Sequence, residues 1–312
     1  MKYLCPRDLR RGEMEEYMSK WVVTLHEKKS IKQLKDAGAD EILLSVPFFS
    51  LRGAHLFAIE ELQDIINEIH SRGLLAAINC TRFFMEDELP ALRAFLKFLK
   101  ECKIDHIYFA DEGVLYEGAR LQMSSCFVYQ PDTLIANQKD VAFYLSQGCV
   151  AVSLSREITL AEIQQIASNV DGCEVLVHGR FSIMHSRRPL LSSYFSFIGK
   201  KERVKDRRDL QLQESTRTQR MPIIEDESGT HVFSEYTLES FAQIQKMQDA
   251  GVTRFRIDSI FHDDAWTIAA LQDYHAVLQG KVAAEEIVEK WKEQKDENYS
   301  EGFYYTKTTL VK

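Results

Sequence analysis

The sequence lacks paired cysteines. Its six cysteines are spread over 312 residues, and none of them lies in a CxxC pair. Zinc sites use such closely spaced cysteines, and small secreted domains use a regular disulfide framework. Four of the six lie next to short apolar runs, where a cysteine behaves as a small hydrophobic side chain. The sequence therefore predicts no disulfides and no metal site.

Long apolar segments are absent as well. No segment reaches the roughly 18 consecutive apolar residues of a membrane-spanning helix. The first residues, MKYLCPRDLRRGE, lack the apolar core of a secretory signal. We therefore predict a cytoplasmic protein that has no membrane span.

Familiar catalytic motifs are missing. The sequence contains no HExxH helix for zinc, no GxSxG nucleophile elbow and no cysteine with a visible activating partner. No single motif therefore indicates a peptidase. A catalytic site assembled from distant residues stays open, and proteolysis remains an alternative on that ground.

Negative charges outnumber positive charges overall, but positive charges are concentrated in one segment. The net charge is −8 and the pI is about 5.7, which gives no general attraction to nucleic acid or to anionic membranes. Between Arg180 and Arg220, however, the sequence has eleven Lys and Arg residues and only four Asp and Glu residues. Such a segment suits a phosphate-bearing partner; a solvated charged loop is the alternative.

A repeated unit of helix, glycine and short apolar strand organises the chain. Short apolar strands between amphipathic helices are typical of a parallel sheet covered on both faces. The strands are expected at 21–25, 41–45, 74–79, 106–111, near 123–128, 150–155, 173–179 and 253–259. Eight such strands favour an α/β protein with a (β/α)8 TIM-like barrel, and a doubly wound open sheet is the alternative.

Segment 195–236 breaks this alternation. It is polar and charged, and it contains Pro222 and a turn-like EDESGTH sequence. We predict that it forms an inserted loop and hairpin after strand 7, at the catalytic face, and that a helix over 237–250 follows. In this interpretation residues 1–280 form one barrel domain, and residues 281–312 form a C-terminal helix and tail packed on it.

Polar residues follow most of the predicted strands. In a barrel of this kind, functional groups collect at the C-terminal ends of the strands. A single Asp or Asn in such a position more often caps the next helix, whereas several arginines on one rim, here including Arg188, would bind an anionic ligand. The predicted substrate-binding residues are Arg52, Arg82, Asp111, Gln130, Arg156, Glu157, Arg180 and Asp258.

The stretch Glu174–Tyr194 combines several reactive side chains. Glu174 and His178 fall on one face of a strand at period two, and a polar turn rich in Ser and Arg follows. We predict Glu174, His178, Ser186 and Arg188 as catalytic residues. The alternative for the turn is a solvated connection, and the alternative for His178 is a buried side chain bonded to a backbone carbonyl.

This stretch resembles the signature of the collagenase-like U-type peptidase family, the U32 group. The family pattern is a glutamate, an apolar triplet, His-Gly, a cysteine three residues on, then Ser-Gly-Arg-Cys and Leu-Leu-Ser. The matching residues are Glu174, His178, Gly179, Ser186, Arg188, Leu190, Leu191 and Ser192. Ser182 and Pro189 stand where the family has cysteines, and Arg187 replaces the glycine.

Further stretches carry the same resemblance over about residues 20–310. FFSLRG (48–53), INCTRF (78–83), FADEGVL (109–115) and SREITLAEI (155–163) are similar to the family's strand ends, and YSEGFYYTKT (299–308) to its terminal Gly-Phe motif. AGVTRFRIDS (250–259) departs from the usual Ile-Glu-Gly-Arg ending, because the acid is shorter and the arginine is lost. The resemblance implies a barrel-like catalytic domain.

The resemblance also implies a function and a cofactor. Better-understood relatives hold an iron–sulfur cluster with these cysteines and two more downstream, whereas segment 195–236 contains no cysteine. Several relatives take part in oxygen insertion, including hydroxylation of the wobble uridine of tRNA. We therefore expect a component of tRNA wobble-uridine 5-hydroxylation that has no cofactor of its own and acts with a cluster-bearing paralogue.

Two further partners and two alternative functions belong to this expectation. The partners are a small anionic co-substrate and tRNA, the latter held by the basic segment 180–220. The alternatives are a collagenase-like peptidase of the same family and a non-catalytic partner that stabilises its paralogue.

Overall fold

Eight parallel strands form a closed barrel. The computed structural model describes residues 19–123, 125–215, 218–294 and 297–308. Their strands are β1 (Lys20–Thr24), β2 (Glu41–Ser45), β3 (Leu75–Cys80), β4 (His106–Phe109), β5 (Phe127–Tyr129), β6 (Ala151–Ser153), β7 (Cys173–Gly179), β8 (Ser182–Ser186), β9 (Gln211–Leu212), β10 (Met221–Asp226), β11 (Gly229–Phe233), β12 (Thr237–Leu238), β13 (Arg254–Asp258) and β14 (Tyr299–Ser300). Strands β1 to β7 pair in order, and β13 pairs with both β7 and β1. The predicted (β/α)8 barrel is confirmed, and the open-sheet alternative is wrong.

Helices cover the outside of the barrel. The α-helices of the described residues are α1 (Ile31–Asp36), α2 (Leu62–Ser71), α3 (Leu89–Glu101), α4 (Glu112–Arg120), α5 (Gln138–Ser146), α6 (Leu160–Ala167), α7 (Leu190–Phe197), α8 (Ile244–Asp249), α9 (Asp264–Leu278) and α10 (Ala284–Lys292). Within this part of the chain, no helix has the length and apolar character needed to span a membrane.

Apolar side chains fill the space between the barrel and its helices. On α2 the buried residues Leu62, Ile65, Ile66 and Ile69 recur every three or four positions, so the helix turns one apolar face to the strands. All five residues of β2 are buried, because strands of a helix-covered barrel have no solvent face. A smaller apolar cluster inside the barrel consists of Val22, Leu43, Ala77, Tyr108, Val128 and Ala151.

An antiparallel sheet is inserted between β7 and β13. Its strand order is β8-β11-β10-β9, and β10 with β11 forms the predicted hairpin. The sheet begins at Ser182, earlier than the predicted start at 195. Arg208 donates to the carbonyl oxygens of Gly53, at 2.8 Å, and of Ile260. Because these two residues follow β2 and β13, the insertion covers the C-terminal face of the barrel, as predicted.

The predicted helix 237–250 is wrong over its first half. Thr237 and Leu238 form β12, which pairs with β14 and with Gly179 of β7. Only the second half of the prediction is helical, as α8. These two residues form backbone pairs with strands that are distant in sequence, and a local pattern does not reveal such pairing.

Helix α4 was not predicted from the sequence. Its two glycines, Gly113 and Gly118, lower the helix propensity of the segment. A Cβ atom at position 118 would lie 2.1 Å from the ring of Phe127 on β5. The glycine therefore allows the helix to approach the barrel closely.

The C-terminal segment packs on the barrel beside β7. Lys290 and Trp291 of α10 both donate to the carboxylate of Asp273 on α9 at 2.7 Å. Farther along, the hydroxyl of Tyr304 lies 2.7 Å from that of Ser240. The described residues beyond 280 thus extend the outer layer of the barrel.

A β-bulge in β7 changes the direction of its later side chains. Arg256 of β13 pairs with Leu176, but the next residue, Ile257, pairs with His178. One extra residue in β7 moves the following side chains to the other face. Glu174 points into the barrel, whereas His178 contacts α9 and α10 outside it. The prediction that Glu174 and His178 share one face is wrong.

Replacing Gly179 by alanine should destabilise the barrel at the bulge. Gly179 has φ +128°, and an added Cβ would lie 2.2 Å from the carbonyl oxygen of Asp258. We expect Gly179→Ala to lower the free energy of unfolding in urea by more than about 3 kcal/mol. The cost of the positive φ angle and the cost of displacing β13 both contribute to this loss. Gly73→Ala is the matched control: φ is +67° with no heavy atom within 4 Å, so about 1 kcal/mol is expected. Equal losses in the two variants would contradict this account.

Candidate functional site

The barrel interior contains a buried ion-pair network. Arg254 of β13 donates to Glu41 of β2 at 2.7 Å and to the Tyr108 hydroxyl at 2.9 Å, and its Nε donates to Glu174 of β7 at 3.3 Å. Tyr108 donates to Glu174 at 2.5 Å, and His106 Nδ1 lies 2.8 Å from Glu41. Both carboxylates are fully buried. A buried carboxylate without partners is costly, so the network makes these charges tolerable.

The network also shifts the ionisation of its members. Burial opposes ionisation of Glu41, but the hydrogen bond from His106 and the charge of Arg254 outweigh it and lower the pKa of Glu41. Burial raises the pKa of Tyr108 well above its usual value, so the phenol keeps its proton and remains a donor. Glu41 and Arg254 therefore stay charged at neutral pH.

Arg256 connects this network to the mouth of the barrel. It is 1% exposed; its Nε lies 3.3 Å from Glu174, and its Nη1 lies 3.5 Å from Asp258. With the Gln130 amide oriented to suit its neighbours, the amide oxygen accepts from both terminal nitrogens of Arg256 at 3.1 Å. Asp258 and Gln130 are two of the predicted site residues, and the structure places both beside Arg256.

Two arginines from separate loops meet on one aspartate. Asp132 accepts from Arg156 at 2.6 Å and from Arg52. Burial opposes ionisation of Asp132, but the charges of Arg156 and Arg52 outweigh it and lower its pKa. Burial lowers the pKa of Arg156 to about 10, so it remains a cation at neutral pH.

The backbone at this ion pair is strained. Arg52 has φ +52° and Asp132 has φ +71°. The left-handed region costs a residue with a side chain about 1–2 kcal/mol. Backbone strain of this kind clusters at functional sites, where the surrounding structure holds it.

Arg180 borders both the mouth and a larger cleft. Its guanidinium donates to Glu297 at 2.8 and 3.1 Å and to the Ser234 carbonyl at 2.7 Å. The mouth itself has a free volume of only about 10 Å³, roughly enough for one water molecule. The adjoining cleft, between the barrel and the inserted sheet, has a volume of about 670 Å³. That is within the usual range of small-molecule sites.

The cleft is polar and rich in histidine. Its charged and titratable lining residues are Arg52, Arg180, Arg208, Asp206, Asp226, Glu297, His26, His55, His231 and His262. Burial is the main cause that lowers the pKa of His55, His231 and His262. These three imidazoles are therefore neutral at pH 7 and can donate or accept a hydrogen bond. The cleft therefore presents arginine guanidinium groups beside neutral imidazole rings that can form hydrogen bonds.

Arg82 and Asp111 are engaged in local structure. Arg82 donates to Glu88 at 2.5 Å and lies over the ring of Phe48, 3.9 Å from its centroid. Asp111 caps α4 and also accepts from the backbone N–H of Phe84 at 2.8 Å. Arg82 lines neither the mouth of the barrel nor the adjoining cleft, so the prediction that it converges with the other arginines is wrong. Asp111 is a helix cap, which is the alternative given above for a single Asp after a strand.

Arg188, Ser186 and Glu157 also lie apart from the cleft and the mouth. Arg188 and Glu157 are exposed. Ser186 ends β8, and its hydroxyl accepts from the backbone N–H of Arg188 at 3.3 Å. The prediction that Arg188 shares the rim is therefore wrong. The predicted arginines that do meet at the mouth are Arg52, Arg156 and Arg180.

His178 lies in an aromatic cage outside the barrel. Its ring centroid is 4.7 Å from that of Trp266 and 4.8 Å from that of Trp291. Its Nδ1 lies 3.1 Å from the hydroxyl of Tyr274, and its Nε2 has no hydrogen-bond partner among the described residues. Burial, with a smaller effect of His262, holds the pKa of His178 well below its usual value. The structure therefore agrees with the alternative of a buried histidine, although the partner of its Nδ1 is the Tyr274 hydroxyl and not a backbone carbonyl.

Several residues of the site were not predicted from the sequence. Arg254 and Arg256 alternate with apolar residues in RFRID, and that period-two pattern of charges in a buried strand was an available signal. Asp132 and Glu297 had no comparable signal. They lie in loops, and only the fold brings them to Arg52 and Arg180.

The described residues do not fit an iron–sulfur cluster. Ser182 and Pro189, at the family's cysteine positions, supply no thiolate. Burial is the main cause that raises the pKa of Cys126 to about 11 and those of Cys149 and Cys173 to about 12. Over the described ranges, no group of three or more His, Cys, Asp or Glu side chains could hold a metal ion.

These features define a (β/α)8-barrel protein whose C-terminal face is capped by an inserted sheet and lined by paired arginines. The sequence model of peptidase family U32 matches residues 26–310. The chain belongs to that family, and the resemblance found in its sequence is confirmed.

Its relatives include proteins named for tRNA hydroxylation. The chain is 26% identical to tRNA hydroxylation protein P2 of Bacillus subtilis, over 82% of this chain and 84% of that protein. It is 23% identical to tRNA hydroxylation protein P of Escherichia coli, over 85% of this chain and 70% of that protein. Among solved structures, the U32 peptidase Mk0906 aligns with 14% identity and a TM-score of 0.49, over 80% of this chain and 96% of that one.

Removing the charge of Glu174 should destabilise the fold. Glu174→Gln leaves Arg254 and Arg256 buried with one fewer carboxylate, and breaking a buried ion pair costs about 3–5 kcal/mol. We expect a loss of this size in urea unfolding. Glu68→Gln, which removes an exposed i,i+4 pair with Arg72, should cost under about 1 kcal/mol. A Glu174→Gln protein as stable as wild type would refute a structural role for the network.

The stability of the protein should fall below about pH 6.5, in part because of His178. In the unfolded chain this histidine binds a proton near pH 6.5, whereas the buried ring does so only at much lower pH. The unfolded state therefore binds more protons in that window, and stability falls by up to about 1.4 kcal/mol per pH unit. His178→Gln should show a shallower dependence between about pH 6.5 and 5 in urea titrations. An unchanged slope would mean that the folded ring takes up the proton as readily as the unfolded one.

Proposed function

We propose that this protein is a component of tRNA hydroxylation and acts in the 5-hydroxylation of the wobble uridine. The observation that carries the proposal is the similarity, over more than four fifths of the chain, to proteins named tRNA hydroxylation proteins. Since tRNA is a cytoplasmic substrate in bacteria, the proposal implies a cytoplasmic protein.

The proposed site is the cleft with the adjoining barrel mouth. Asp132 and Glu297 hold the guanidinium groups of Arg52 and Arg180 in place. An arginine has five N–H donors, so each group keeps donors for a bound anion. In this role the arginines orient a small anionic co-substrate, and the neutral histidines of the cleft supply further hydrogen bonds. The strained backbone of Arg52 supports a functional role for this corner of the site.

The proposed partner is a paralogue that carries an iron–sulfur cluster. The replacement of two family cysteines by Ser182 and Pro189, and the protonated state of the buried thiols, support a chain without its own cluster. This chain would then hold substrates beside the partner.

Proteolysis is the second candidate, and the family description favours it. A peptidase of this chain would need an activated nucleophile or base. His178 lies outside the barrel among the rings of Trp266 and Trp291, away from the residues that line the cleft and the mouth. Burial keeps the thiols of Cys149 and Cys173 protonated at neutral pH. These observations support tRNA hydroxylation over proteolysis.

Deletion of the gene should reduce the 5-hydroxyuridine-derived nucleosides of tRNA. Mass spectrometry of tRNA hydrolysates measures them directly. Complementation with the wild-type gene should restore them. Arg180→Gln, which removes one of the two guanidinium groups proposed to hold the anion, should restore at most about a tenth, since a charged contact contributes about 1.5–3 kcal/mol. Arg72→Gln, at an exposed position directly after α2 that pairs with Glu68, is the control and should restore them fully.

Two outcomes would count against parts of the proposal. Normal nucleosides after deletion of both this gene and its paralogue would contradict the role in tRNA, and gelatin cleavage abolished by His178→Ala would then favour a peptidase. Iron and sulfide in the purified single chain would contradict the absence of a cluster.

A further inference from the structure

Helix α7 presents an apolar surface that the rest of the described chain does not cover. Its sequence, LLSSYFSF, is aliphatic and aromatic at most positions, yet none of its residues is buried. Tyr194 is 57% exposed and Phe197 is 88% exposed. A helix with this composition normally turns its apolar side to a core. An apolar surface left in solvent marks an interaction site.

Polar contacts hold α7 in a defined orientation. Glu225 of β10 is 2% exposed and accepts from the Ser192 N–H, at 3.1 Å, and from the Ser192 hydroxyl. Thr230 of β11 accepts from the Leu190 N–H at 3.0 Å. Leu191 packs against the apolar cluster of the inserted sheet. The first turn is therefore anchored on the sheet, and the aromatic residues beyond it face outward.

Cations surround this aromatic surface. Lys200, Lys201 and Arg203 follow α7 and are exposed, as are Arg187 and Arg188 before it. The carboxylates paired with Arg203 and Arg187 lie 3.7 and 3.9 Å away. At these distances, and with both arginines exposed, the pairs contribute little. The segment from 180 to 220 has an excess of seven positive charges in a chain of net charge −8.

This combination fits RNA better than a protein. Lysine is depleted in the cores of protein interfaces, but here Lys200 and Lys201 adjoin the aromatic residues, and Lys200 Nζ lies 5.9 Å from the ring centre of Phe195. Exposed aromatic rings beside lysine and arginine bind single-stranded nucleic acid, because bases stack on the rings and phosphates pair with the cations.

We propose that the α7 surface, formed by Tyr194, Phe197, Lys200, Lys201 and Arg203, binds a single-stranded segment of RNA. Unpaired bases stack on Tyr194 and Phe197, and the phosphates contact the three cations. The inference rests on the proposed function and deepens it: RNA is held on the insertion, beside the cleft, while the cleft itself is left for a small molecule.

Fluorescence anisotropy of the full chain with two RNA probes tests this surface. The probes are an RNA hairpin with an unpaired loop and a fully paired duplex of the same length. Tyr194→Ala with Phe197→Ala should weaken hairpin binding by about tenfold or more, because stacking contributes about 1–3 kcal/mol per base, and should leave the salt dependence unchanged. Lys200→Glu with Lys201→Glu should weaken binding of both probes and lower the salt slope by about 1.5 to 2.

Matched controls come from α5 on the barrel. Phe143 is 55% exposed and Lys139 is also exposed, so Phe143→Ala and Lys139→Glu remove a similar ring and a similar charge elsewhere. Both should bind the hairpin as wild type does. Circular dichroism of each variant checks that the fold is kept.

Three results would overturn the inference. One is unchanged hairpin affinity in both double variants, and another is no hairpin binding by the wild-type chain. The third is retained hairpin affinity with loss of co-purification of the paralogue in the Tyr194→Ala, Phe197→Ala variant, which would make α7 a protein-docking surface. The nucleoside profile of the deletion strain is a separate measurement, so a failure of this inference is distinguishable from a failure of the proposed function.

Discussion

The barrel depends on charges enclosed within its own strands. Arg254 lies between Glu41 and Glu174, and Tyr108 joins the same group. These residues come from four different strands, so the ion pairs form only when β13 closes the barrel between β7 and β1. Because an unpaired buried charge is strongly destabilising, the network disfavours any arrangement in which β13 pairs with only one neighbour.

The same strand links the interior to the site. Arg254, Arg256 and Asp258 alternate along β13, so their side chains rise from the barrel interior to its mouth. At the mouth the polar groups are largely paired with one another, and little free volume remains. The space for a ligand lies beside the mouth, under the inserted sheet, where Arg52 and Arg180 border both regions. The insertion therefore makes the cleft, and the barrel positions the side chains that line it.

The inserted sheet separates two surfaces with different chemistry. Its inner side covers the cleft, where Phe233 and Ile224 pack against Ile260. Its outer side carries α7, whose Tyr194 and Phe197 side chains are exposed. A small molecule under the sheet and RNA outside it would lie on the same scaffold. This arrangement suits a protein that brings a small co-substrate and a large anionic one together.

The sequence by itself determined the barrel, the insertion at its C-terminal face and the family. Helix and strand periodicity are local properties, and the Glu174–Ser192 signature is contiguous. The meeting of Arg52, Arg156 and Arg180 was predictable because barrel strands end on one face. The tertiary structure alone decided which arginines share that site. Arg52 and Arg156 both donate to Asp132 at the mouth, whereas Arg82 donates to Glu88 and does not line the mouth. It also decided that His178 lies outside the barrel, because one extra residue in β7 turns the imidazole ring to the outer face. A bulge and a loop-to-loop ion pair depend on partners distant in the chain, and no local pattern specifies them.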